Sequence, residues 1–141
     1  MGYRLVDTDR VETTDDRPCD LRRLSDAAGL SNVALNRFGA KPGQQIPLAY
    51  HYHDEQEEAF YVLSGRLTVE TPDEEYELGA NDLFAVEPGS PQRAYCPEDA
   101  DGPVDLLALG APPAADDAHP YEPDGEGEEG NAATGGDPAQ G

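Results

Sequence analysis

The chain has 141 residues, 30 of them acidic and nine basic, for a net charge of −21, a balance that repels nucleic acid and anionic membrane. Its length suits one compact domain, and no apolar run approaches the ~18 residues of a membrane span. The opening Met1-Gly2-Tyr3-Arg4-Leu5-Val6-Asp7 lacks the basic and apolar regions of a signal peptide, and two isolated cysteines, Cys19 and Cys96, do not form a disulfide framework, so a cytoplasmic location is expected. Lys41 is the one lysine and Ile46 the one isoleucine. With abundant Asp, Glu and Ala, that composition points to a halophilic source, expected to be an archaeon. In ~1 M salt the Debye length falls to ~3 Å and self-repulsion is screened.

Residues 1–32 are polar and mixed. Within them Cys19 to Ala28 places Leu21, Leu24, Ala27 and Ala28 at three- and four-residue spacing, which predicts a short amphipathic helix closed by Gly29. From Val33 onward short extended runs alternate with turn residues: Val33–Phe38, Pro47–His53, Ala59–Leu63, Leu67–Thr71, Glu75–Leu78, Leu83–Val86, Gln92–Cys96 and Val104–Leu109. Short strands with Gly, Pro, Asn and Asp between them predict an all-β jelly-roll barrel over 33–112. From Pro113 to Gly141 the chain has eight acids and no base. It lacks the apolar surface to offset ordering entropy, so a disordered acidic tail is expected. His119 falls in that tail and is expected to be no ligand.

His51-Tyr52-His53 is followed, after four residues, by Glu58. Residues two apart on a strand point to one face, so both imidazoles can converge on one point. Glu58 opens a second strand, and antiparallel pairing of that strand with the first, across a short acidic turn, carries the carboxylate back to the imidazoles. Two His and one carboxylate with open positions suit non-haem iron, and also manganese, nickel or zinc. Asp54, Glu55 and Glu57 in the turn are expected to be solvated, with Glu57 the alternative ligand. Tyr50 and Tyr52 alternate with the histidines and are expected to face away from them.

The surrounding residues resemble the cupin family. Its first motif (Gly, His-x-His, a gap of three or four, Glu, a gap of six, Gly) reads here Gly43, His51, His53, Glu58, Gly65, with seven residues between Gly43 and His51. Its second motif matches at Asp82 and Gly89. Asn81 or Gly79 stands for the opening Gly, Pro88 is one residue late, and Gln92 takes the place of the final His. The resemblance spans about residues 33–112 and implies a double-stranded β-helix barrel, one divalent metal ion per chain (Fe, Mn, Ni or Zn) and a homodimer, the contact lying in the N-terminal segment or an edge strand. Gln92 then has three possible roles: direct ligand, hydrogen-bond partner of a metal-bound water, or polar lining of a site that has lost its metal.

Other pocket residues follow from strand parity. Phe60 and Val62 share the parity of Glu58 and are expected to line the pocket, as are Phe84 and Val86 from the second motif. Tyr95 is expected on the face of Gln92, donating a hydrogen bond there. Arg93 is the candidate cation for an anionic substrate group, or else points out to a surface acid. Cys96 is expected to be a structural thiol. The functional expectation is a metal-dependent enzyme, dioxygenase or isomerase in type, acting on a small oxygenated molecule. The alternative is a non-catalytic module that binds or senses a small molecule or metal.

Overall fold

The computed structural model describes residues 2–14, 19–46, 49–113 and 117–122. The strands form two facing layers, all antiparallel. The larger holds β1 (Thr13–Thr14), β2 (Asp20–Arg23), β3 (Ala34–Ala40), β10 (Val104–Ala111), β5 (Glu57–Ser64) and β8 (Leu83–Val86), in that spatial order. The other contains β7 (Glu75–Leu78), β6 (Leu67–Glu70) and β9 (Arg93–Tyr95). A single bridge, His51 to Gln92, joins it to the pair β4 (His51–His53) and β11 (Ala118–Pro120), and another, Gln45 to Tyr95, ties the chain ahead of β4 to β9. The result is the jelly-roll barrel that the short alternating strands predict.

The alternation of strand side chains builds the core directly. Phe38, Phe60, Val62, Val104 and Leu106 point inward from the large layer, and Leu67, Val69, Leu78, Ala94 and Cys96 from the small one. Register sets them side by side: Leu106 lies opposite both Phe38 and Val62. A fully buried aliphatic side chain of this kind stabilises by roughly 1.5–3 kcal/mol. Asn81 adopts φ +75°, a left-handed conformation that Asn tolerates better than most residues. It therefore serves the turn for which the family motif uses glycine.

Three expectations are corrected. The predicted helix Cys19–Ala28 is strand over Asp20–Arg23, and only Leu24–Ala28 (α1) is helical, ending at Gly29 with φ +72°. Leu21 is buried because it lies opposite Phe38 in a sheet, not because it shares a helical face with Leu24. The expected hairpin of His51–His53 with the Glu58 strand does not form. β4 and β5 belong to different layers, and β5 lies between β10 and β8. Finally, the span expected to be a disordered tail contains β11, an ordered strand, while residues 114–116 and 123–141 of that span lie outside the described residues. Among the described residues no helix is long and apolar enough to cross a membrane.

Candidate metal centre

His51 and His53 both face the barrel interior from β4, with Tyr52 between them turned outward. Their rings meet edge to face, centroids 5.0 Å apart. The His51 ring is oriented by its Nδ1, 2.7 Å from the Ala49 carbonyl oxygen. A proton on Nδ1 donates to that carbonyl and leaves the Nε2 lone pair free. Glu58 arrives from the opposite layer, with Oε2 3.5 Å from His53 Nε2. One donor atom from each of His51, His53 and Glu58 lies within 4.8 Å of the others. Convergence therefore happens across the barrel rather than across a turn.

Gln92 reaches the same point. Its backbone exchanges two hydrogen bonds with His51, at 2.9 and 3.1 Å. Its amide Nε2 donates to Glu58 Oε1 at 3.2 Å, and the residue is only 2% exposed. The His51 Nε2, His53 Nε2 and Gln92 Oε1 atoms are buried without a hydrogen-bond partner among the described residues. Each such group costs about 1–3 kcal/mol if left unsatisfied. Lone pairs from two imidazoles and an amide, gathered beside a carboxylate, fit a divalent transition metal ion. Burial pushes the His51 pKa down, against the opposing pull of Glu58 and the Ala49 carbonyl, which keeps the ring neutral and able to bind an ion.

The other expected residues separate into two groups. Phe60 and Val62 are in the core on the face of Glu58, and across the strand pair Phe84 lies opposite Phe60 and Val86 opposite Glu58. Tyr95 and Arg93 are not at the site. Tyr95 is three residues from Gln92, so it has the opposite parity. Its hydroxyl donates to Glu75 at 3.3 Å, on the outside of the small layer. Arg93 stacks over the Tyr95 ring at 4.3 Å and pairs with Glu70 at 2.9 Å, the outward alternative. Glu57 is exposed. Tyr50 and Tyr52 pack on the residues after the barrel, against Tyr121 and His119, at 5.0 and 5.3 Å between rings. Cys96 is buried and directs its Sγ to the Gly102 carbonyl at 3.7 Å.

Two buried residues beyond the motif escape a reading of it. Gln56, in the loop between β4 and β5, has its amide donating to the Pro112 carbonyl at 3.1 Å. It fits because Gly110 has no side chain: a Cβ there would sit 2.6 Å from Gln56 Cδ. Asp117 is buried beside His53, with Oδ2 3.8 Å from Nδ1. Its signal in the sequence is slight. His119 and Tyr121 soon after it are the only ring-bearing side chains, proline aside, after residue 112, and they pack on Tyr52 of β4 and on Tyr50 just before it.

Known proteins share this arrangement of chain. The family described as Cupin domain matches residues 36–110. The polyketide synthase CurC of Streptomyces cyaneus is 34% identical over 87 residues, covering 57% of this chain and 53% of that protein, so the chain spans about half the length of that curated relative. A sugar phosphate isomerase of the cupin superfamily from Silicibacter pomeroyi superposes with a TM-score of 0.72 at 25% identity, over 86% of this chain and 83% of that one. The polyketide cyclase RemF of Streptomyces resistomycificus gives a TM-score of 0.65 at 19% identity, over 78% and 80%. Since the family match takes in more than half of the 141 residues and includes His51, His53, Glu58 and Gln92, the chain belongs to the cupin family.

Proposed function

We propose that this cupin is a metal-dependent enzyme that rearranges a small oxygenated organic molecule, by isomerisation or cyclisation at a carbonyl. The observation that carries the reading is the set of buried ligand atoms without hydrogen-bond partners among the described residues, His51 Nε2, both ring nitrogens of His53 and Gln92 Oε1, gathered around Glu58. A bound divalent ion supplies Lewis acidity to a carbonyl oxygen. His51 and His53 would hold it through Nε2 and Glu58 through a carboxylate oxygen. Gln92 steadies Glu58 by its amide N–H and offers an amide oxygen as a further donor. Glu58 is also the carboxylate placed to take a proton from the carbon next to a polarised carbonyl, the step that isomerisation and carbon–carbon cyclisation have in common.

The surroundings favour an uncharged substrate. Arg93, Arg66 and Arg37 are engaged outside the site with Glu70, Asp99 and Asp105, while Phe60 and Val86 adjoin Glu58 on its own face. This supports a carbonyl compound of the kind that polyketide enzymes handle over a phosphorylated sugar. A non-catalytic binding module is the second reading. It is favoured by one observation: among the described residues, the titratable group beside the donor cluster that is not itself one of the donors, Asp117, is already engaged by three backbone N–H groups.

The test is metal content of the purified protein, followed by deuterium uptake from D2O at the carbon adjacent to the carbonyl of uncharged diketones and hydroxyketones. About one ion per chain, absent from His51→Ala/His53→Ala, together with metal-dependent exchange, supports the enzyme. Bound metal with no exchange supports the module. No metal, even on titration, overturns the site.

A further inference from the structure

Asp117 lies beyond the family match of residues 36–110, yet it is built into the wall of the site. It is 9% exposed. One carboxylate oxygen accepts the backbone N–H groups of Asp54 and Glu55 at 3.0 and 3.2 Å, and the other those of Glu55 and Gln56 at 3.1 and 2.9 Å. Those three residues are the whole connection between β4, which carries His53, and β5, which carries Glu58. The neighbouring Ala118 pairs directly with His53 in β11. The His53 ring thus has carboxylates on both sides: Glu58 3.5 Å from Nε2 and Asp117 3.8 Å from Nδ1. The second separation is longer than a hydrogen bond, so Asp117 acts on the ring by its charge across a short, water-poor gap.

We propose that Asp117 is a positioning residue for the metal centre: it fixes the loop that sets His53 against Glu58, and it favours the His53 tautomer with the proton on Nδ1, so that Nε2 is presented to the ion. The proposal rests on the ion-binding reading of the donor cluster. Carboxylates behind ligating imidazoles orient the ring and raise its basicity. Here that carboxylate comes from the residue just before β11, beyond the family match of residues 36–110. Three N–H donors hold it ionised and in place, so it does not depend on the ion for its position.

The experiment measures Co2+ affinity by competition with a chelator, on the full chain and on Asp117→Asn, which keeps the outline, removes the charge and replaces one of the two acceptor oxygens by a donor. The expected loss is roughly 10- to 100-fold. The exchangeable Nδ1–H proton of His53 is followed by NMR in the Co2+-loaded protein. It is expected to be protected in the parent and fast-exchanging in Asp117→Asn. His119→Ala removes the 2.7 Å contact of His119 with Asp54, and with it the second group of donors Asp54, Asp117 and His119, but keeps the carboxylate behind His53, and should bind Co2+ at the His51–His53–Glu58 cluster like the parent. A merely structural role would weaken both variants and leave the His53 proton unmoved, which overturns the proposal. Equal affinity of Asp117→Asn and the parent overturns it alone, whereas a parent that takes up no Co2+ overturns the metal centre as well.

Discussion

Burial strips water from the His51 ring and holds its pKa below the usual 6.5. In the metal-free protein this ties stability to pH in a definite direction. Between the folded and unfolded pKa values the unfolded chain carries more protons, so stability rises with pH through that window and is lost as pH falls below about 6.5. Asp117 adds a second loss in stronger acid. Burial raises its pKa, but the N–H groups of Gln56, Glu55 and Asp54, with His53, outweigh that and leave it lowered. Its contribution is present above the ordinary carboxylate range and disappears as pH falls through the folded value. Urea unfolding of metal-free protein between about pH 8 and 5 should show a declining midpoint, flattened in His51→Gln. A midpoint independent of pH over that range would contradict the burial of a neutral ring. At the same scale, Glu58→Gln should lose most bound metal while the barrel stays folded, and Gln92→His should lower the metal Kd. Unaltered affinity in Gln92→His would mean that position 92 does not address the ion.

The turns that return strands across the barrel are legible to different degrees. Gly65 joins β5 to β6 at φ +87°, and a Cβ there would lie 2.4 Å from the Pro103 carbonyl oxygen and 2.7 Å from Val104 Cα. Both are backbone atoms and cannot rotate away. Gly89 has a similar φ of +81° but open space around a Cβ. Gly65→Ala should therefore cost more than the roughly 1–3 kcal/mol of backbone strain alone, and Gly89→Ala no more than that. Denaturant midpoints of the two variants compare them, and equal losses would show that the close approach to Pro103 relaxes freely. The motif spacing marked Gly65 in the sequence because a tight turn needs a local conformation. The strand at Asp20–Arg23 was not marked, because Leu21 and Leu24 fall at helical spacing when read locally. What makes Leu21 extended is its partner Phe38, 17 residues away.

A net charge of −21 on 141 residues opposes compaction of the whole molecule. The bases that help are spread over its outside, as in the pairs of Arg37 with Asp9 and Asp105 and of Arg66 with Asp99. Raising salt from about 0.1 M to 1 M shortens the Debye length from ~10 to ~3 Å. Repulsion among many separated carboxylates weakens more than attraction within pairs at 2.6 to 3.0 Å. Tm in a monovalent salt should therefore rise over this range. A falling Tm would mean that ion pairs, rather than the excess of acid, dominate the electrostatics.

The sequence by itself determined the candidate donor side chains, the alternation of buried and exposed positions and the jelly-roll class, because each is written in spacing over a few residues. His51, His53, Glu58 and the Gln92 substitution all belong to that local record. Only the tertiary structure decided that the histidines and the carboxylate lie on opposite layers, whereas Tyr95 and Arg93, at odd offsets from Gln92, turn outward by strand parity alone. Only it brought Asp117 back from the acidic tail to stand behind His53. Strand pairing and layer membership follow from contacts between residues far apart in sequence, where local periodicity has no purchase. A single miscounted residue also reverses which face a strand side chain occupies.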